Sequence, residues 1–153
     1  MKENTMTIRT MKLEDYDQVY ELWSGIKGFG IRALDDSKEG VERFMKRNPG
    51  TSVVAEADGR IIGCILCGHD GRRGCMYHVC VSEEYRQNGV GKRMALEALE
   101  RLKLEGISKV NLIAFRTNAL GNEFWKKSGW TFREDINYYE FTLNGDNMVN
   151  FIE

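Results

Sequence analysis

Val79-Cys80-Val81-Ser82-Glu83-Glu84-Tyr85-Arg86-Gln87-Asn88-Gly89-Val90-Gly91-Lys92-Arg93-Met94 governs how the rest of the chain is read. The stretch begins as a buried strand, turns through a glycine-bearing loop and continues as a helix. Such a junction leaves several backbone N–H groups without partners at a helix N-terminus, where they can hold a phosphate. Gly89 and Gly91 have no Cβ, so the main chain there can approach an anion closely and adopt angles that other residues resist. A bound pyrophosphate is the first expectation.

The chain has 153 residues, enough for one domain (1–153) with a real core and too few for two ordinary ones. Apolar residues make up 42% and charged residues 29%, the composition of a globular protein and not of a disordered one. A net charge of −1, from 22 basic and 23 acidic side chains, argues against nucleic acid as a partner. No apolar run approaches the roughly 18 residues that cross a bilayer, and the polar start of the chain has no signal-peptide pattern. A cytoplasmic protein with no membrane partner is expected. Cys64 and Cys67 form a C-x-x-C, but they fall on an apparent strand, where positions three apart point to opposite faces. They read as buried reduced thiols, and no metal is expected.

Outward from the glycine loop, residues 7–11 alternate as a first strand. Residues 13–24 follow at helical spacing, with Leu13, Tyr16, Val19, Tyr20 and Trp23 on one face. Residues 25–34 read as a loop with apolar contacts, and Asp36-Ser37-Lys38-Glu39 starts a second helix that stops at Asn48-Pro49-Gly50. Strands are predicted over 51–57, 60–68 and 75–82, the first two joined by an Asp58-Gly59 type I′ turn. A helix over 90–104, a strand over 109–115 and a short helix over 118–127 come next. A last hairpin is predicted from 130–133 and 138–143, while 1–6 and 144–153 read as loose tails. The order β-α-α-β-β-β-α-β-α-β-β predicts an α+β fold, with a mixed, mostly antiparallel sheet and one parallel pair splayed at the cofactor site.

Arg86-x-x-Gly89-x-Gly91, set between a strand and a long helix, resembles the R/Q-x-x-G-x-G/A signature of the GNAT superfamily of N-acetyltransferases. Residues 118–130, Asn-Ala-Leu-Gly-Asn-Glu-Phe-Trp-Lys-Lys-Ser-Gly-Trp, resemble the same family's N-x-x-A-x-x-F-Y-x-K-x-G-F segment. The element order is also similar, and the turn at 68–74 resembles the small bacterial YpeA-like acetyltransferases. The loop is neither a Walker loop nor a dinucleotide fingerprint, so a general nucleotide binder is disfavoured.

The resemblance implies an acyltransferase that uses acetyl-CoA and moves the acetyl group to a primary amine by direct attack in a ternary complex. The acceptor it implies is a small molecule or a protein N-terminus. The amides of Gln87, Asn88, Gly89, Val90, Gly91 and Lys92, with Arg86 at the signature's head, would hold the CoA pyrophosphate. Val79, Cys80 and Val81 would pair with the pantetheine arm, and the N–H of Val79 or Cys80 would polarise the thioester carbonyl. Asn118, with Gly121, Phe124 and Trp125 on the same segment, would complete the cofactor side. Trp125 stands where many relatives have a tyrosine, and an indole N–H is too weak an acid to protonate a leaving thiolate.

No strand carboxylate marks the base. His78 has the right chemistry near neutrality, Glu56 is the next choice, and a water chain or an amine arriving neutral competes with both. Asp70 and Arg72 in the 69–74 turn, with Trp23 and Phe29, would line the acceptor side. Tyr138 or Tyr139 could supply an acid. A catalytically weak acyl-CoA-binding sensor is the alternative from another class. Oligomeric state is not written in these motifs, although relatives are often homodimers.

Overall fold

Near-continuous burial along the central strands β3 and β4 marks the middle of a five-stranded sheet in the computed structural model, which describes residues 6–153. Strand β1 (Met6–Thr10) leads through a 3-10 turn at Leu13–Asp15 into α1 (Tyr16–Ser24). β2 (Gly30–Arg32) and α2 (Lys38–Arg47) follow, then β3 (Val53–Ala57), β4 (Arg60–His69) and β5 (Gly74–Val81). α3 (Val90–Leu104), β6 (Val110–Leu112), α4 (Ala119–Lys127) and β7 (Val149–Phe151) complete the chain. The main sheet runs β1-β3-β4-β5-β6, antiparallel except for the parallel β5–β6 pair, and β2 pairs with β7 in a separate ribbon. The predicted α+β class and mixed sheet are the ones observed.

β4 is buried from Ile61 to Gly68 because both faces of the sheet are covered. On one face Met94, Ala98 and Leu102 of α3 pack over Val53, Ala55, Ile65, Cys67 and Met76. On the other, Val19 and Trp23 of α1 and Val41 of α2 pack over Val54, Cys64, Leu66 and Cys80. Cys64 and Cys67 thus go to opposite faces, as a strand requires. The Asp58-Gly59 turn has both φ values positive, at 52° and 75°, which a type I′ hairpin needs.

Several expectations are corrected. The 25–34 loop contains β2, and the supposed loose tail 144–153 supplies its partner β7. That pairing joins residues more than a hundred positions apart, which no local pattern encodes. The expected tail 1–6 lies outside the described residues except for Met6, which opens β1. α2 does start within the expected Asp36–Glu39 segment, with Ser37 as its oxygen cap, whose Oγ accepts from Gly40 N at 3.1 Å. The strand at 109–115 is paired only over Val110–Leu112. The predicted hairpin from 130–133 and 138–143 does not form among the described residues: from 131 to 143 no main-chain group bonds to another main-chain group. No helix among the described residues is long and apolar enough to cross a membrane.

Candidate active site

β5 and β6 run together only from Gly74↔Val110 to Met76↔Leu112 and then part. Beyond Met76, β5 is paired on its β4 side alone among the described residues, which leaves its other edge open from 77 to 81. A bulge lies within this stretch: Cys64 faces Cys80 and Leu66 faces Tyr77, leaving His78 and Val79 against Ile65 alone. His78 takes φ 52°, an unusual angle for a side chain of its size. Bulges and strained residues of this sort re-aim side chains and concentrate at functional sites.

At the far end of β5 a short turn (Glu83–Tyr85) delivers the chain to α3. Gln87 and Gly89 have φ values of 66° and 77°, which curl the loop so that successive N–H groups face one way. The N–H groups from Gln87 to Lys92 have no partner among the described hydrogen bonds; the first helical one is Arg93 N to Gly89 O at 3.0 Å. No acidic residue stands in the first turn of α3. Asn88 stiffens the loop, its Nδ2 donating to the carbonyls of Tyr85 and Arg86 at 3.2 and 3.1 Å. Arg86 Nε folds back onto Val81 O at 3.2 Å. Gly89 needs its missing side chain for its angle, whereas Gly91 does not. A Cβ on Gly91 would meet Phe124 no closer than 3.5 Å, an ordinary contact.

On the α1–α2 face, His78 is held by three neighbours. Its Nε2 lies 2.9 Å from Oδ1 of Asp36, which is only 4% exposed. The other carboxylate oxygen accepts from Arg32 N at 2.6 Å, and the Asp36 carbonyl accepts from Tyr16 Oη at 2.6 Å. Trp23 and Phe29 flank the imidazole with centroids at 4.9 and 4.7 Å. A carboxylate only accepts, so Nε2 is the donor, and in the neutral ring the lone pair that a base requires is then on Nδ1.

The family model described as Acetyltransferase (GNAT) family matches residues 16–130. The chain belongs to this family. An acetyltransferase of Sodalis glossinidius is 27% identical over 131 residues, covering 86% of this chain and 91% of that protein. Two solved structures share the fold. The PaiA N-acetyltransferase of Thermoplasma acidophilum, in complex with coenzyme A, superposes with a TM-score of 0.73 at 21% identity, over 95% of this chain and 96% of that one. An aminoglycoside N-acetyltransferase, AAC(6')-Iy in complex with CoA, gives 0.69 at 17% identity, over 92% and 97%. The chain is a GNAT acyltransferase.

Other predicted residues of this GNAT chain fall into two groups. Asn118 caps α4, its Oδ1 accepting from Gly121 N at 3.0 Å, which brings Phe124 beside Gly91. Trp125 packs edge-on against Phe124 and Trp130, with both centroid distances 4.9 Å. These residues gather at the start of α3. Glu56 and the 69–74 turn do not join them. Glu56 sits two strands away on β3 and accepts from Arg9 Nε at 2.9 Å. Asp70 Oδ1 accepts from the N–H groups of Arg72 and Arg73, both at 2.8 Å, and these bonds hold its carboxyl below the usual range. That turn lies at the opposite end of β5, roughly 15 Å of strand from His78. Tyr138 and Tyr139 are 64% and 86% exposed, and the Tyr138 hydroxyl is given to Glu140.

Sequence reading missed two residues. Asp36 looked like part of a helix cap, and nothing in the order of residues connects it to His78. Tyr77, half exposed beside the bulge, packs edge-on against Phe44 at 5.8 Å. Burial leads the causes that push its phenol above the usual range, so it is a hydrogen-bond donor and not an anion near neutrality. Only strict alternation with Cys75 could have placed it on the α1–α2 face.

Proposed function

We propose that the chain transfers the acetyl group of acetyl-CoA to a primary amine of a small molecule or a protein N-terminus, by direct attack in a ternary complex. One observation carries the reading: six N–H groups at the start of α3, without partners among the described hydrogen bonds, follow by one short turn an open strand edge that contains a bulge. The nest fits a pyrophosphate, and the edge fits an amide-bearing arm that pairs as a strand does. The CoA bound in the PaiA and aminoglycoside acetyltransferase structures supports this choice of donor.

Acetyl-CoA supplies an activated thioester; the rest belongs to the chain. Residues 87–92 hold the phosphates, and Val79–Val81 align the arm along β5. The N–H of Val79, at the bulge, donates to the thioester carbonyl as charge builds on its oxygen. Nδ1 of His78 takes the proton of the attacking amine while Asp36 steadies the imidazolium. A thiol has an ordinary pKa of about 8.5, so CoA leaves as thiolate with hydrogen-bond help alone, and a tyrosine at position 125 is dispensable.

The test is thiol release from acetyl-CoA across a panel of amines and peptides. Turnover that depends on the amine supports the enzyme and identifies its acceptor. Acetyl-CoA should also stabilise the protein by about 2.7 kcal/mol at a hundred times its Kd, and ATP and NAD should not. Equal stabilisation by all three would sink the donor assignment. The second reading, a weak acyl-CoA-binding sensor, is favoured by Trp125, which is committed to an aromatic cluster where relatives keep a phenol. Stabilisation without any amine-dependent turnover would select it.

A further inference from the structure

Between α1, the start of α2 and the β2–β7 ribbon lies a cavity of about 430 Å³, whose walls include Tyr20, Ile31, Arg32, Lys38, Met148 and Asn150. That is the size of a small-molecule site. It is not the acetyl-transfer site, because neither His78 nor Trp23 lines it. Fully buried Trp23 lies between the two places, its ring centroid 6.2 Å from that of Tyr20 and 4.9 Å from that of His78.

The charge of the cavity is one-sided. Arg32 and Lys38 make no ion pair among the described residues, and no carboxylate lines the cavity with them. A chain with 22 basic and 23 acidic side chains does not impose that imbalance. The acids next in sequence are engaged elsewhere: Asp36 is held by His78 and by Arg32 N, and Asp35 lies near Tyr77. Arg32 uses one N–H on the Asn147 carbonyl at 3.1 Å, and the rest of its fork has no partner among the described hydrogen bonds. Ser37 Oγ and Tyr16 Oη are already used, the first between Gly40 N and Leu34 O and the second on the Asp36 carbonyl. The two cations are therefore the groups left to hold a ligand. Beside them is apolar surface, with Ile31 buried and Tyr20 and Met148 40% and 70% exposed.

We propose that this cavity binds a small phosphomonoester with an apolar body, as a ligand additional to acetyl-CoA and the amine. Its phosphate sits between Arg32 and Lys38, and its body covers Tyr20, Ile31 and Met148. Two positive charges match a dianion; the guanidinium offers paired N–H groups to two phosphate oxygens, and the ammonium adds a compact charge. The ligand lies behind the base. Arg32 gives the phosphate its side chain while its main-chain N–H, at 2.6 Å, holds the carboxylate that meets His78.

Calorimetric titration with phenyl phosphate tests the proposal, with CoA in excess to fill the N–H groups of residues 87–92. The readout is binding, so it stands apart from acetyl transfer. A single site per chain is expected, and no binding at millimolar concentrations overturns the inference. Arg32→Gln and Lys38→Gln should each weaken binding roughly tenfold or more. Lys46→Gln removes the same charge near the other end of α2 and should leave binding unchanged. Phenol has the ring without the charge and should not compete. Circular dichroism checks folding, and Arg32→Gln keeps the main-chain N–H that holds Asp36. Undiminished binding in the folded Arg32 and Lys38 variants, equal loss in Lys46→Gln, or displacement by phenol would overturn the site.

Discussion

His78 carries the proposed base chemistry, and its environment allows that role to be separated from simple packing. His78→Gln should lower kcat/KM by roughly 10²–10⁴-fold and remove the acidic limb of the pH–rate profile. Asp36→Asn keeps an acceptor for Nε2 but removes the charge 2.9 Å from it, so kcat/KM should fall with KM little changed, and Asp36→Glu should restore part of the loss. If Asp36 only braces the fold, stability falls while kcat/KM of the folded protein is unchanged. The two loop glycines make a second contrast. Gly89→Ala forces a side chain into φ 77° and should cost about 1–2 kcal/mol of stability. Gly91→Ala meets only ordinary contacts and should leave the melting temperature unchanged. Both should weaken acetyl-CoA binding by calorimetry, and tight binding by Gly91→Ala would remove the close-approach argument for that residue.

The junction of β1 and α1 rests on one buried acid. Asp15 accepts two bonds from Arg9 at 2.9 Å and one from Lys12 N at 2.8 Å, and Arg9 also reaches Glu56. Burial pulls the Asp15 carboxyl upward, but the Arg9 and Lys12 bonds outweigh it and hold it below the usual aspartate value. The stabilisation is therefore complete above about pH 4 and is lost as pH falls through the lower folded-state value. Asp15→Asn should cost about 2 kcal/mol at neutral pH and flatten the acid limb of a stability–pH curve. Elements like these were open to sequence reading in proportion to how local their causes are. The helix of α3, the Asp58-Gly59 turn and the glycine loop follow from spacing and backbone angles within a few residues. The β2–β7 ribbon and the Asp36–His78 contact depend on distant segments meeting, and residues 130–143 alternate like a strand whether or not a partner is present.

Taken as a molecule, the chain buries both faces of its sheet with residues up to Ile107, and beyond it Val110, Leu112, Trp125, Trp130 and Ile152 add half-buried contacts to the two cores. The buried cysteines carry a different consequence. Cys80 lies on the strand proposed to receive the pantetheine arm, where each turnover sets free a CoA thiol. Burial pushes Cys67 and Cys80 up to about 12 and Cys64 well above its usual value. A protonated, enclosed sulfur is a poor nucleophile. The site should then tolerate an oxidising cell without being capped by its own product. Incubation with CoA disulfide should leave the intact mass unchanged, and a mixed disulfide at Cys80 would show that the strand opens more than its packing implies.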